Sequence, residues 1–125
     1  MPDIDGRRHS LSELKGKVAV LDFVVLGAKG SAQHNFKLRD IYNKYKSKGF
    51  EIYQISLDPD ESYWKTASDN LPWICVWDEN GEQSSNLTTY NVTSVPTMFV
   101  INRANEVKKR ITNIDGLEAA VKSQL

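Results

Sequence analysis

The sequence predicts an α/β fold in three layers, a central mixed β-sheet flanked by helices, and three observations carry that expectation. Val18-Ala19-Val20-Leu21-Asp22-Phe23-Val24-Val25-Leu26 is a near-continuous apolar run rich in β-branched residues. That is the pattern of a strand covered on both faces. A small-residue loop, Gly27-Ala28-Lys29-Gly30, joins it to a segment with helical periodicity. The alternation of strand and helix signals then continues along the chain and ends in a hairpin and a last helix. A chain of 125 residues, 40% of them hydrophobic, is long enough to bury a core and fits one domain, residues 1–125.

The elements follow in order. Ile4 to His9 reads as a short turn or hairpin around Gly6. Ser10 with Glu13 three residues on has capping-box spacing, which predicts one helical turn ended by Lys15-Gly16-Lys17. After the central strand, Ser31 is the expected N-cap of a long helix. Leu38, Ile41, Tyr42 and Tyr45 fall at i, i+3, i+4 and i+7 and give that helix one apolar stripe, with Gly49 placed to stop it. Phe50 to Leu57 is the next strand. Asp58-Pro59 reads as N-cap and first helical position, so a second helix is expected to run to about Asn70, where Leu71-Pro72 breaks it. Trp73 to Trp77 is a short strand, Asp78 to Gly81 a turn, and Gln83 to Asn91 a short polar helix. Thr97 to Ile101 and the charge-rich Glu106 to Ile111 form a hairpin whose second arm suits an edge strand. Asp115 to Gln124 closes the chain as a helix with Leu117, Ala120 and Val121 inward.

Composition excludes several classes of function. Sixteen Lys and Arg balance sixteen Asp and Glu, so no basic excess points to nucleic acid or an acidic membrane. No apolar run approaches the roughly 20 residues that span a bilayer, and no secretory-leader pattern stands ahead of Ile4. Two scattered histidines, His9 and His34, and one cysteine give no metal-ligand spacing, so no metal and no other cofactor is expected. Both histidines read as surface residues. Cys75 is the only cysteine, which removes any dithiol–disulfide cycle within the chain.

Several segments together carry a resemblance. Pro2-Asp3-Ile4-Asp5-Gly6 with Leu11-Ser12-Glu13-Leu14-Lys15-Gly16-Lys17, then Val20-Leu21-Asp22-Phe23, then Tyr42-Asn43-Lys44-Tyr45 with Gly49-Phe50-Glu51-Ile52, stand in the order of one family. Ser56-Leu57-Asp58, Trp64, Leu71-Pro72-Trp73 and Val95-Pro96-Thr97 complete it. In that order and spacing the chain resembles the TlpA/ResA-like thiol–disulfide oxidoreductases, relatives of the peroxiredoxins, along nearly its whole length. The resemblance implies a thioredoxin-like fold, a cis-proline loop at Pro96, and an extracytoplasmic, periplasmic setting in a bacterium.

The departure from the family is equally specific. Its two cysteines, separated by two residues, fall here on Ala28 and Ser31, and the motif reads Ala28-Lys29-Gly30-Ser31. A dithiol oxidoreductase needs a low-pKa thiolate at a helix start and a second thiol to resolve the mixed disulfide. Alanine has no nucleophile, and a serine hydroxyl neither ionises at neutral pH nor forms a reducible bond. Peroxidase chemistry fails on the same gap. The expectation is therefore a redox-inactive thioredoxin-like domain that binds a protein or extended peptide, or serves as a structural module.

Four features remain candidates for function. Val95, Pro96 and Thr97, with Lys29 and Gly30 opposite, are the expected binding residues, because a cis-proline loop exposes backbone groups for strand addition. Asp22 matches the family's buried acid and needs a partner inside its apolar run, with Lys29, Ser31 or water expected in that role. Cys75, alternating with Ile74 and Val76, reads as a core thiol; a redox role for it, alone or with a partner's thiol, requires exposure and a depressed pKa. The Gly27–Ser31 loop ahead of a helix has the form of an anion site, without the Walker A ending.

Overall fold

A computed structural model describes all 125 residues. Five strands form one sheet: β1 Val18–Val24, β2 Phe50–Ser56, β3 Ile74–Trp77, β4 Thr97–Ile101 and β5 Val107–Ile111. Their order across the sheet is β3-β2-β1-β4-β5. β1 runs parallel to β2, and β2 to β3, while β4 is antiparallel to β1 and β5 to β4. The sheet is therefore mixed, with its parallel half supplied by helical crossovers and its antiparallel half by the final hairpin.

The uninterrupted apolar pattern of the first strand has a direct structural cause. β1 is the middle strand, and all seven of its residues are buried. Its side chains alternate between two cores. Val18, Val20 and Val24 pack with Leu38, Ile41 and Tyr45 of α1 (Ser31–Tyr45), Trp64 of α2 (Glu61–Ser68), and Leu117 and Val121 of α4 (Leu117–Lys122). Ala19, Leu21 and Phe23 face the opposite core, closed by Leu14 in a 3-10 turn and by Leu87 and Tyr90 around the short helix α3 (Ser85–Thr89). β5 lies at the edge and exposes Val107 through Arg110, as its charge-rich sequence predicted.

Three local expectations change at element ends. α1 begins at Ser31, but its N-cap is Gly30 at φ 87°, a left-handed conformation that glycine adopts without strain. The Ser31 hydroxyl instead donates to the Leu26 carbonyl at 2.5 Å. The cap of α2 is Asp60 rather than Asp58, and its carboxylate accepts the Ser62 and Tyr63 amides at 2.9 and 3.4 Å. Ser10 makes no capping bond, because Glu13 is drawn to the His9 ring at 2.5 Å and the predicted box does not form.

Candidate functional site

At its C-terminal end β1 gives way to the Gly27–Gly30 turn and the first turn of α1. The loop before β4 lies opposite. Between them is a cavity of about 190 Å³, with Ala28, Lys29, Ser31 and His34 on one side and Val95 and Pro96 on the other. The Val95–Pro96 peptide bond is cis, as the family pattern implied, and both residues are exposed. Thr97 begins β4 buried and opposite Phe23, with its hydroxyl donating to the Ser94 carbonyl at 2.6 Å. Ala28 and Ser31 therefore face the proline loop across the cavity.

Directly behind this cavity stands a buried polar cluster. Asp22 is wholly buried, and its Oδ2 accepts a hydrogen bond from the His34 Nε2 at 2.9 Å and from the Gln54 side-chain amide at 3.0 Å. Gln54 also donates to Asn35 at 2.8 Å and accepts from the Trp73 indole at 3.1 Å. Two expectations are corrected here. Asp22 is partnered by His34 and Gln54, not by Lys29 or Ser31, because Lys29 is exposed and Ser31 is tied to Leu26. His34 is not a surface residue; one helical turn beyond Ser31 it points inward, and 7% of it is exposed. The Oδ1 atom of Asp22 has no hydrogen-bond partner.

Sequence reasoning also missed a second carboxylate. Asp58 is buried and accepts the Leu26 and Gly27 amides at 2.7 and 2.9 Å, while the Ser56 hydroxyl donates to it at 2.5 Å. Charge-assisted bonds of this kind are about twice as strong as neutral ones. The turn after β1 is therefore held from β2. This changes the anion reading of the Gly27–Ser31 loop, since its first amides already serve an internal carboxylate. The amides of Ala32 and Gln33, in the first turn of α1, make no backbone bond.

Cys75 lies elsewhere. The sheet register sets Met98, Asp22, Gln54 and Cys75 in one row across β4, β1, β2 and β3. Two strand spacings separate Cys75 from Asp22, roughly 10 Å. The thiol is 5% exposed, and burial pushes its pKa up to about 12, with the Trp64 indole offsetting only part of that. It has neither the exposure nor the acidity of a redox cysteine. No three His, Cys, Asp or Glu side chains are grouped to hold a metal ion, and no helix is long and apolar enough to cross a membrane.

A strand–turn–helix site facing a cis-proline loop, on a sheet of this order, defines a thioredoxin-like domain, with Ala28 and Ser31 in the turn and helix start that face the loop. With one buried cysteine the chain is redox-inactive in the dithiol sense. The sequence profile of the AhpC/TSA family matches residues 1–110, and the chain belongs to that family.

Its relatives carry the same fold. A solution structure of an uncharacterized thioredoxin-like protein from Bacteroides vulgatus is 54% identical, with a TM-score of 0.89 over 98% of this chain and 80% of that one. A thiol-disulfide oxidoreductase from Bacteroides fragilis superposes with the same TM-score at 26% identity, over 100% of this chain and 95% of the other. The thiol-disulfide oxidoreductase ResA of Geobacillus kaustophilus is 32% identical over 90% of this chain, and that of Bacillus subtilis 28% identical over 90%. The chain spans 64% and 62% of the length of these two relatives.

Proposed function

We propose that residues 1–125 form one docking domain that binds an extended segment of a partner protein along Val95-Pro96-Thr97, with Lys29 and Gly30 facing that segment across the cavity. One observation carries the reading. The Val95 amide and carbonyl enter no backbone hydrogen bond two residues ahead of β4, and Val95 lies exposed beside the cavity. Unpaired backbone groups at a strand end are what an added strand uses, and side-chain pockets beside them supply selectivity.

The absence of thiols gives such binding a different outcome from that of an oxidoreductase. A captured segment forms no mixed disulfide and leaves by dissociation alone. The resemblance to ResA supports an extracytoplasmic setting, periplasmic in a bacterium, and a role as a binding or structural module. No helix is long and apolar enough to cross a membrane, and the reading assigns no part to nucleic acid.

Two measurements test this. A disulfide-reductase assay with dithiothreitol is expected to show no turnover, and activity that survives replacement of Cys75 overturns it. A panel of extended peptides followed by amide NMR is expected to move Ser94 to Thr97 and Ala28 to Ser31 together. Binding that leaves these residues unmoved removes the docking reading.

A further inference from the structure

The His34 side chain is only 6% exposed, and its Nε2 is committed to Asp22 at 2.9 Å. Its Nδ1 makes no hydrogen bond, and the ring lines both the cavity at Pro96 and the shallower one beside it. An imidazole tied to a carboxylate through one nitrogen presents the other in a fixed direction. His34 itself stands in the first turn of a 15-residue helix, whose dipole favours negative charge and whose Ala32 and Gln33 amides make no backbone bond.

The surrounding charges agree. No carboxylate lines either cavity. Lys29 stands on the rim, and Lys37, in the shallower cavity, is held at 3.1 Å by Asp115 outside it. From the sheet, His34 meets only Asp22 of β1, with the neutral Gln54 amide of β2 behind it. The proline loop and the segment after β5 offer Pro96, Thr112 and Asn113, none of them charged. The molecule itself contains the completed form of this arrangement. The His9 imidazole joins two carboxylates, Asp3 at Nε2 (2.8 Å) and Glu13 at Nδ1 (2.5 Å). His34 has the first carboxylate and an open Nδ1.

We infer that the cavity receives a carboxylate, carried on a bound peptide as an acidic side chain or a free C-terminus, which accepts a hydrogen bond from Nδ1 of His34. The inference deepens the docking reading and uses the same cavity. Because Asp22 already takes the Nε2 proton, Nδ1 must carry a second proton to donate. Binding to the neutral ring therefore takes up one proton, and affinity falls as pH rises.

The test begins with small probes, so that it does not depend on strand pairing. The His34 ring nitrogens are followed by NMR while the protein is titrated with butyrate or with uncharged butyramide. Butyrate is expected to give a saturable shift, at least about tenfold tighter than butyramide, the equivalent of roughly 1.4 kcal/mol. Its affinity is expected to weaken as pH rises, by at most about tenfold per pH unit, the limit set by uptake of one proton. Lys29→Gln, a change on the exposed rim, is expected to weaken butyrate and leave butyramide unchanged. Equal shifts from the two probes, an unmoved His34 ring, or an affinity indifferent to pH each overturn the inference.

End-blocked valine–alanine pentapeptides then identify the source of the carboxylate. One has a central aspartate, one a central asparagine, and one a central asparagine with a free C-terminus. Preference for the first assigns the site to an acidic side chain, and preference for the third assigns it to a chain terminus. If all three bind at Val95 to Thr97 with equal affinity, docking stands and the carboxylate inference falls. If none moves Val95 to Thr97 while butyrate still moves His34, the docking reading falls and the carboxylate site stands.

Discussion

His9 and His34 make the same bond and live in different solvents. Each sets Nε2 on an aspartate, at 2.8 and 2.9 Å respectively. The side chains of His9 and Asp3 retain 17% and 19% exposure, whereas those of His34 and Asp22 retain 6% and none. Water screens the first pair and competes for it, so its net worth is small. In the second pair the carboxylate has left water entirely and the imidazole nearly so, and each partner depends on the other. A hydrogen-bond length therefore says little about what a pair contributes until its burial is known.

The largest expected effect is at the buried pair. His34→Ala leaves Asp22 buried with one oxygen already unpartnered and only Gln54 on the other. A loss of about 3–5 kcal/mol in urea unfolding is expected. Replacing both partners, as Asp22→Leu with His34→Leu, is expected to recover much of that loss, because no lone charge remains. A loss below about 1 kcal/mol for His34→Ala would make the two histidines equivalent and end the comparison.

The exposed pair is expected to matter less, under about 1 kcal/mol for His9→Ala, and its effect has a definite pH window. Burial pulls the His9 pKa down, but the bonds to Asp3 and Glu13 outweigh it and leave the pKa raised. Burial raises that of Asp3, and the bonds to His9 and to the Arg7 and Asp5 amides bring it below its ordinary value. The His9 contribution is thus fully present below about pH 6.5 and is lost as pH rises through its raised pKa. The Asp3 contribution is present above about pH 3.8 and is lost as pH falls through its lowered value. Thermal melts of the wild type and His9→Ala are expected to converge in alkali. A gap that widens with pH would contradict the assignment.

Cys75 supplies the smallest effect, an absence of reaction. It stands in the same sheet row as Asp22 and is nearly fully buried, and its thiol is pushed up to about 12. A thiol reagent is expected to leave native protein unlabelled and to modify it once in denaturant. Rapid native labelling would restore Cys75 as a redox candidate.

The sheet was legible because its signals are local. The β1 run, the helical stripe from Leu38 to Tyr45 and the edge-strand charges each report burial through the identity of neighbouring residues. The proline loop was legible through the order of segments that carries the family resemblance. The polar cluster was not, since it joins β1, β2 and α1 through the register that pairs Asp22 with Gln54. Its only sequence trace was that both residues interrupt apolar strands. Asp58 was misread for a related reason: Asp-Pro has the form of a helix start, and nothing local reveals that its carboxylate is engaged 31 and 32 residues back.

That grip by Asp58 separates the shape of the turn from its contents. Leu26 and Gly27 are fixed through their amides, groups that every residue but proline carries, by a carboxylate just beyond the neighbouring strand. Residues 28 to 31 are carried on this mount much as a bit is held in a chuck. Of these four residues only Ser31 adds a side chain to the hold, through its hydroxyl on the Leu26 carbonyl. The frame that sets the helix start opposite the proline loop is thus built largely from groups outside residues 28 to 31.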